Sequence, residues 1–210
     1  MTARSSRNPV PDDAVSLFYA HGGQLRLSEA LALGLNRYQF YKLRDEGVIE
    51  PVSRGLYRLA DLPPVRDPDL AVVASRFPNA ILCLMSALAW HDLTTQIPRR
   101  IDLAVERNAR LPKQKNPPVR GYRFSGKRFS SGVERHDMDG IELKVYNPEK
   151  TLADCFAYRN SLGQDVVLEA LKFYLQRGRP NYPKVLEYAR ICRVENAMRP
   201  FFEAAVAVSH

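Results

Sequence analysis

The sequence predicts an α+β protein: a small N-terminal helical module ending in a hairpin, then a mixed α+β domain with a helical C-terminus. Three observations carry this. Residues 26–59 hold two short helix patterns one residue apart that run into a hairpin, and "ADLPPVRDPD" interrupts the chain with three prolines. Strand-like segments then fill residues 99–147 before the pattern turns helical from Pro148 onward.

Residues 1–11 are polar and proline-bearing, a loose basic tail. "DDAVSLFYAHGG" is a first helix, with Asp12 or Asp13 as cap, Val15, Phe18 and Tyr19 as the apolar stripe and Gly22-Gly23 as the stop. Ser28 is the expected cap of a second helix from Glu29, with its exit at Gly34. Asn36 and Gln39 then form a capping box, and Leu35 and Phe40 stand at the two ends of a hydrophobic staple, so the start of the third helix is doubly specified. Gly47 closes that helix. "VIEPV" and "GLYRL" around Ser53-Arg54-Gly55 form a hairpin with Arg54 at its tip.

Helix, helix, turn, helix and basic-tipped hairpin is the winged helix-turn-helix plan, assigned to residues 12–60. Residues 61–68 are a linker and 69–210 a C-terminal α+β domain. Within it "PDLAVVASRFP" and "AILCLMSALAWHDLTTQIP" are helix-sized apolar segments. The sheet comes from "RRIDLAVE", "VRGYRFSG", "GVERHDM" and "IELKVYN", the last two joined through Asp139-Gly140. "PEKTLADCFAYRN", "GQDVVLEALKFYLQRG" and "YPKVLEYARICRVENAMRPFFEAAVA" are helical.

Composition narrows the function classes. The net charge of +8 and pI near 9.5 favour polyanionic partners. The excess is uneven: residues 1–60 hold eight basic side chains against six acidic, and residues 111–147 eight against four. Neither a membrane-length apolar run nor a signal peptide is present, so a cytoplasmic location without membrane association is expected. Cys83, Cys155 and Cys192, and His21, His91, His136 and His210, are scattered without metal or redox spacing. Buried reduced thiols, no metal and no cofactor are expected.

Phe40 and Leu43 share one helix face, which leaves Arg37, Tyr38, Tyr41, Lys42 and Arg44 on the remaining surface with no acid before Asp45. Such a face suits a phosphate-walled groove. Arginine can bond guanine and glutamine adenine, so Arg37, Tyr38 and Gln39 are the candidates for base reading, with Gln39 also needed for capping. Tyr41, Lys42, Arg44 and Arg54 are the candidates for phosphate contacts.

"GGQLRLSEALALGLNRYQFYKLRDEGVIEPVSRGLYRL" resembles the N-terminal domain of AbiEi-type antitoxins of type IV toxin-antitoxin systems, with their glycine pair, short helix, recognition helix and "G-x-Y-R-L" wing. "CLMSALAWHDLTTQIP" and "VYNPEKTLADCFAYRNSLGQDVVLEAL" resemble the family's later segments, in the same order. The resemblance implies a transcriptional autorepressor bound to double-stranded DNA at inverted repeats near its own promoter. It also implies a C-terminal domain that counters a nucleotidyltransferase-like toxin, with direct contact and self-association left open. By position, DNA binding falls on Asn36 to Arg44 and on the wing from Arg54 to Arg58.

A regulator that is not an enzyme is therefore expected. One enzymatic alternative rests on Glu142 and Lys144 in "GIELKVYN", the E-x-K half of a metal-dependent nuclease pattern, with Asp102 and Asp137 upstream. Alternation puts Glu142 and Lys144 on one side of a strand, where a carboxylate can hold magnesium and a lysine can polarise water. A winged-helix regulator without an antitoxin role is the other alternative. Asp154, Arg159, Trp90 and His91 are expected in packing and at helix ends rather than in chemistry.

Overall fold

A computed structural model describes residues 12–53, 55–62, 67–138, 140–178 and 180–208. The chain divides into two compact units, residues 1–75 with 137–142 and residues 76–136 with 143–210.

The first unit opens with α1 (Asp12–Ala20), β1 (Gln24–Arg26), α2 (Leu27–Ala32) and α3 (Arg37–Asp45). It continues through β2 (Ile49–Ser53), β3 (Leu56–Leu59) and α4 (Pro68–Arg76). Its antiparallel sheet has the order β1-β3-β2, so the expected hairpin gains a third strand. That strand is absent from the sequence-based account because three residues, two of them polar, show no usable alternation. Pro51 is tolerated in β2 because β2 is an edge strand. The fold is a winged helix-turn-helix, with Phe18, Leu25, Ala30, Leu35, Phe40, Leu43, Ile49 and Leu59 in one core. Full burial of each phenylalanine contributes roughly 1.5–3 kcal/mol.

Two local expectations are corrected. α2 starts two residues earlier than expected, with Arg26 rather than Ser28 as cap, because the Arg26 amide donates to Glu29 Oε2 at 2.9 Å. Tyr19 lies outside the core at 52% exposure, and its hydroxyl donates to Asp61 Oδ2 at 2.5 Å. Gly23 is required where it stands. Its φ is +78° and an added Cβ would sit 2.2 Å from Leu62 Cδ1, while its backbone links Phe18 to Leu59.

The second unit is built on a five-stranded mixed sheet of order β6-β5-β4-β8-β7. Its strands are β4 (Ile81–Leu82), β5 (Ile101–Glu106), β6 (Val119–Phe124), β7 (Val133–Met138) and β8 (Ile141–Tyr146). The helices are α5 (Leu84–Trp90), the single turns α6 (Lys127–Ser130) and α8 (Arg159–Leu162), α7 (Pro148–Ala157), α9 (Gln164–Gln176), α10 (Tyr182–Ile191) and α11 (Glu195–Val208). The α+β class holds, while the central strand corrects the reading of "AILCLMSALAWHDLTTQIP" as one helix. Ile81 and Leu82 pair with β5 and β8, and the helix is confined to Leu84–Trp90. The last helical segment is likewise two helices, broken where Arg193 takes φ 58°.

α7 is the hub, packed against α5, α9, α10 and α11. Asn147 caps it, accepting from the Lys150 amide at 2.8 Å, and Pro148 occupies the first turn. Every residue from Lys150 to Phe156 is buried.

Candidate nucleic-acid interface

The start of α3 is fixed as its residues require. Asn36 Oδ1 accepts from the Gln39 amide at 2.8 Å, and Gln39 Oε1 accepts from the Asn36 amide at 3.0 Å. Both side chains are therefore engaged in the cap, which leaves Gln39 a secondary candidate for base reading. Leu35 and Phe40 are buried at the staple positions. The Phe40 ring meets Tyr57 of β3 edge-on at 4.9 Å, which ties α3 to the sheet.

Outward from that anchor, Arg37 and Tyr38 are exposed, Tyr38 at 75%. The other candidates face out less freely. Tyr41 is half-buried, edge-on to Phe40 and under the Arg44 guanidinium at 4.7 Å. Arg44 donates through Nε and Nη2 to Asp45 Oδ1 at 2.9 and 2.7 Å, and Lys42 Nζ lies 3.9 Å from Glu46 Oε1. The exposed Arg44–Asp45 pair is of a kind worth about 0–1 kcal/mol, little enough for a phosphate to displace it, while Lys42 is half-buried. The first turn of α3 thus carries cation and aromatic without an acid, while its last turn carries cations with acids beside them.

The wing is the β2–β3 hairpin, with a register shift between Pro51 and Ser53. Arg54 lies outside the described residues. Arg58 corrects an expectation: it is 4% exposed, donates to the carbonyls of Leu59 at 3.2 Å and of Leu62, and pairs with Glu50 at 3.3 Å. Its guanidinium holds the sheet to the segment after it: β3 is the central strand, Tyr57 and Leu59 face the helical core, and Arg58 on the other face is covered through its contacts with Glu50 and the Leu59 and Leu62 carbonyls.

The nuclease residues do not converge. Asp102 is 3% exposed, burial pushes its carboxyl up to about 6, and Tyr122 and the Met85 amide hydrogen-bond it. Lys144 Nζ donates to the Pro78 carbonyl at 2.9 Å. Asp102 on β5 and Lys144 on β8 stand on opposite sides of β4, two strand spacings or roughly 10 Å apart. Asp137 Oδ1 accepts from the Gly140 amide at 2.9 Å, a turn contact, and Glu142 is exposed. Among the described residues no three His, Cys, Asp or Glu side chains group as metal ligands.

Asp154 is packed inside, as expected, but among charged partners that sequence spacing alone does not show. Asp154 and Lys150 are each fully buried one helical turn apart and in contact, and Arg128 Nε donates to Asp154 Oδ1 at 3.1 Å. Cys192 donates to the same oxygen at 3.2 Å, with its thiol pushed up to about 12 by burial and by Asp154. The Lys150 ammonium lies over the Tyr146 ring at 4.0 Å and the Phe124 ring at 5.1 Å. The i, i+4 spacing in "KTLAD" was legible, but Arg128 is distant in sequence. Arg159 donates to the Phe156 carbonyl at 2.9 Å, and His91, at the end of α5, lies 2.7 Å from the Tyr146 carbonyl. All three cysteines are buried free thiols.

Residues 12–60 match the family model described as "Transcriptional regulator, AbiEi antitoxin". The chain thus carries an N-terminal AbiEi-like regulatory domain. Among solved structures, the RV2827C protein from Mycobacterium tuberculosis is similar, with 17% identity, 89% of this chain and 78% of that chain covered, and a TM-score of 0.47. The chain matches none of the curated proteins with which it was compared. Among the described residues no helix is long and apolar enough to cross a membrane.

Proposed function

We propose that the protein is a DNA-binding transcriptional autorepressor whose first unit reads inverted repeats near its own promoter through α3. The observation that carries this is the exposed Arg37-Tyr38 pair on a helix start held by the Asn36–Gln39 box, within the segment that matches a transcriptional regulator model. Arg37 and Tyr38 reach base edges, with Gln39 as a secondary reader. Tyr41, Lys42, Arg44 and Arg54 contact phosphates, while Asn36 and Arg58 shape the surface.

The second part of the proposal is that residues 61–210 make the protein an antitoxin against a nucleotidyltransferase-like toxin. It is supported by the resemblance of "CLMSALAWHDLTTQIP" and "VYNPEKTLADCFAYRNSLGQDVVLEAL" to the later AbiEi segments. A regulator without that role is the second reading, favoured by the end of the family match at residue 60.

Purified full chain mixed with the DNA upstream of its own coding sequence tests the first part: a retarded complex at low salt is expected, and its absence overturns the reading. Co-expression with a neighbouring nucleotidyltransferase-like gene tests the second. Restored growth supports the antitoxin, and unrelieved toxicity leaves the regulator alone.

A further inference from the structure

The second unit contains a cavity of about 560 Å³ lined by Arg107, Ser125, Lys127, Arg128, Ile191, Cys192 and Arg193. Four of these side chains are cationic and none is acidic. The volume falls in the range of small-ligand sites, roughly 300–1,000 Å³. Arg107 follows β5 and Ser125 follows β6, so the cavity opens at the C-terminal ends of two parallel strands.

The charge is not matched from within. Arg107, Lys127 and Arg193 are exposed and make no ion pair with the described residues, while Asp154, behind the wall, is shared by Lys150 and Arg128. Two cations to one carboxylate leave that buried cluster positive as well. Arg128 offers Nε to Asp154, but its Nη2 is buried and has no hydrogen-bond partner. That nitrogen is closed to solvent, and the guanidinium lies over the Phe124 ring at 4.5 Å and the Tyr158 ring at 5.4 Å, so Arg128 gives the cavity positive charge rather than a free hydrogen-bond donor.

Arg193 adds an independent observation. It sits just past the end of α10 at φ 58°, a left-handed position where glycine is the common occupant, and the Val194 amide returns to the Ala189 carbonyl at 2.8 Å. An L-residue there costs roughly 1–2 kcal/mol. The fold would be at least as stable with glycine, yet the position places a guanidinium on the cavity wall.

We propose that this cavity binds the phosphoryl groups of a small polyphosphate anion. Arg107 and Arg193 bond the phosphoryl oxygens as planar forks, and Lys127 and Arg128 add positive charge. Inorganic polyphosphate and nucleoside triphosphates share this chemistry, and neither aromatic nor carboxylate side chains line the cavity to read a base or a ribose.

The test is calorimetric titration of the full chain with sodium tripolyphosphate and, separately, ATP, on wild type, Arg107→Ala, Arg193→Gly and the double variant. Saturable binding of both ligands is expected, weakened at least roughly tenfold in the double variant. The melting temperature of Arg193→Gly should not fall, which separates lost binding from lost folding. An Arg37→Ala/Arg44→Ala variant should bind tripolyphosphate as wild type does, separating this site from α3. Absence of saturable tripolyphosphate binding at low salt, unchanged affinity in the double variant, or loss of binding in the α3 variant would each overturn the proposal. So would binding of ATP without tripolyphosphate.

Discussion

Asn36 and Gln39 exchange hydrogen bonds of 2.8 and 3.0 Å between side chain and backbone across the first turn of α3. That exchange sets the direction in which Arg37 and Tyr38 leave the helix. Asn36→Ala should cost about 1 kcal/mol in urea unfolding and weaken DNA binding as the turn frays. Unaltered stability and DNA affinity would show that the box does not position the helix start.

Arg58 separates support from contact. Because it is buried among carbonyls and paired with Glu50, Arg58→Ala leaves acceptors unsatisfied and should destabilise the first unit by roughly 1–3 kcal/mol. Arg44→Ala, at an exposed position, should leave stability within about 0.5 kcal/mol. Thermal or urea unfolding of both variants checks the contrast, and the opposite order would place Arg58 outside the core.

The buried Lys150–Asp154 contact predicts a large single effect and a smaller double one. Lys150→Ala removes the ammonium that lies against Asp154 and two rings, and should cost about 3–5 kcal/mol. Lys150→Met combined with Asp154→Leu should recover part of that loss, because no buried carboxylate then lacks its lysine. Additive losses in the double-variant cycle would deny the coupling.

Asp102 predicts a pH dependence. Its folded carboxyl is pushed from 3.8 up to about 6 by burial, so between those values the folded chain binds more protons than the unfolded one. Stability from this group is therefore fully present below about pH 4, falls as pH rises to about 6 and stays lower above. Asp102→Asn removes the ionisation and should stabilise the protein at pH 7.5 by on the order of 3 kcal/mol, while flattening that fall. Urea unfolding from pH 4 to 8 checks both, and an equal slope in the variant would refute the assignment.

What was legible in the sequence depended on local chemistry. The α3 start, the hairpin and the capped hub α7 were readable because caps, glycines and prolines act within four residues of themselves. β4 was hidden because two residues between long-range partners have no period, and a fully buried strand resembles a buried helix. Arg58 was placed at the DNA surface only through the family resemblance of the wing, whereas the three-strand order makes β3 central and covers its side chain. The cavity around Arg128 was invisible for the same reason. Arg107, Arg128 and Arg193 meet through sheet topology, not sequence spacing.

The central claim, that α3 reads DNA, is tested most directly by fluorescence anisotropy of the full chain on its own upstream fragment and on a scrambled one, across a salt series. The account predicts tighter binding to the upstream fragment and affinity that falls with salt. An Arg37→Ala/Arg44→Ala variant should bind more weakly, with a log–log salt slope reduced by up to about 2, less where a lost contact is to a base rather than a phosphate. Equal affinity and equal slope for variant and wild type, or failure of the wild type to bind either fragment at low salt, would contradict it.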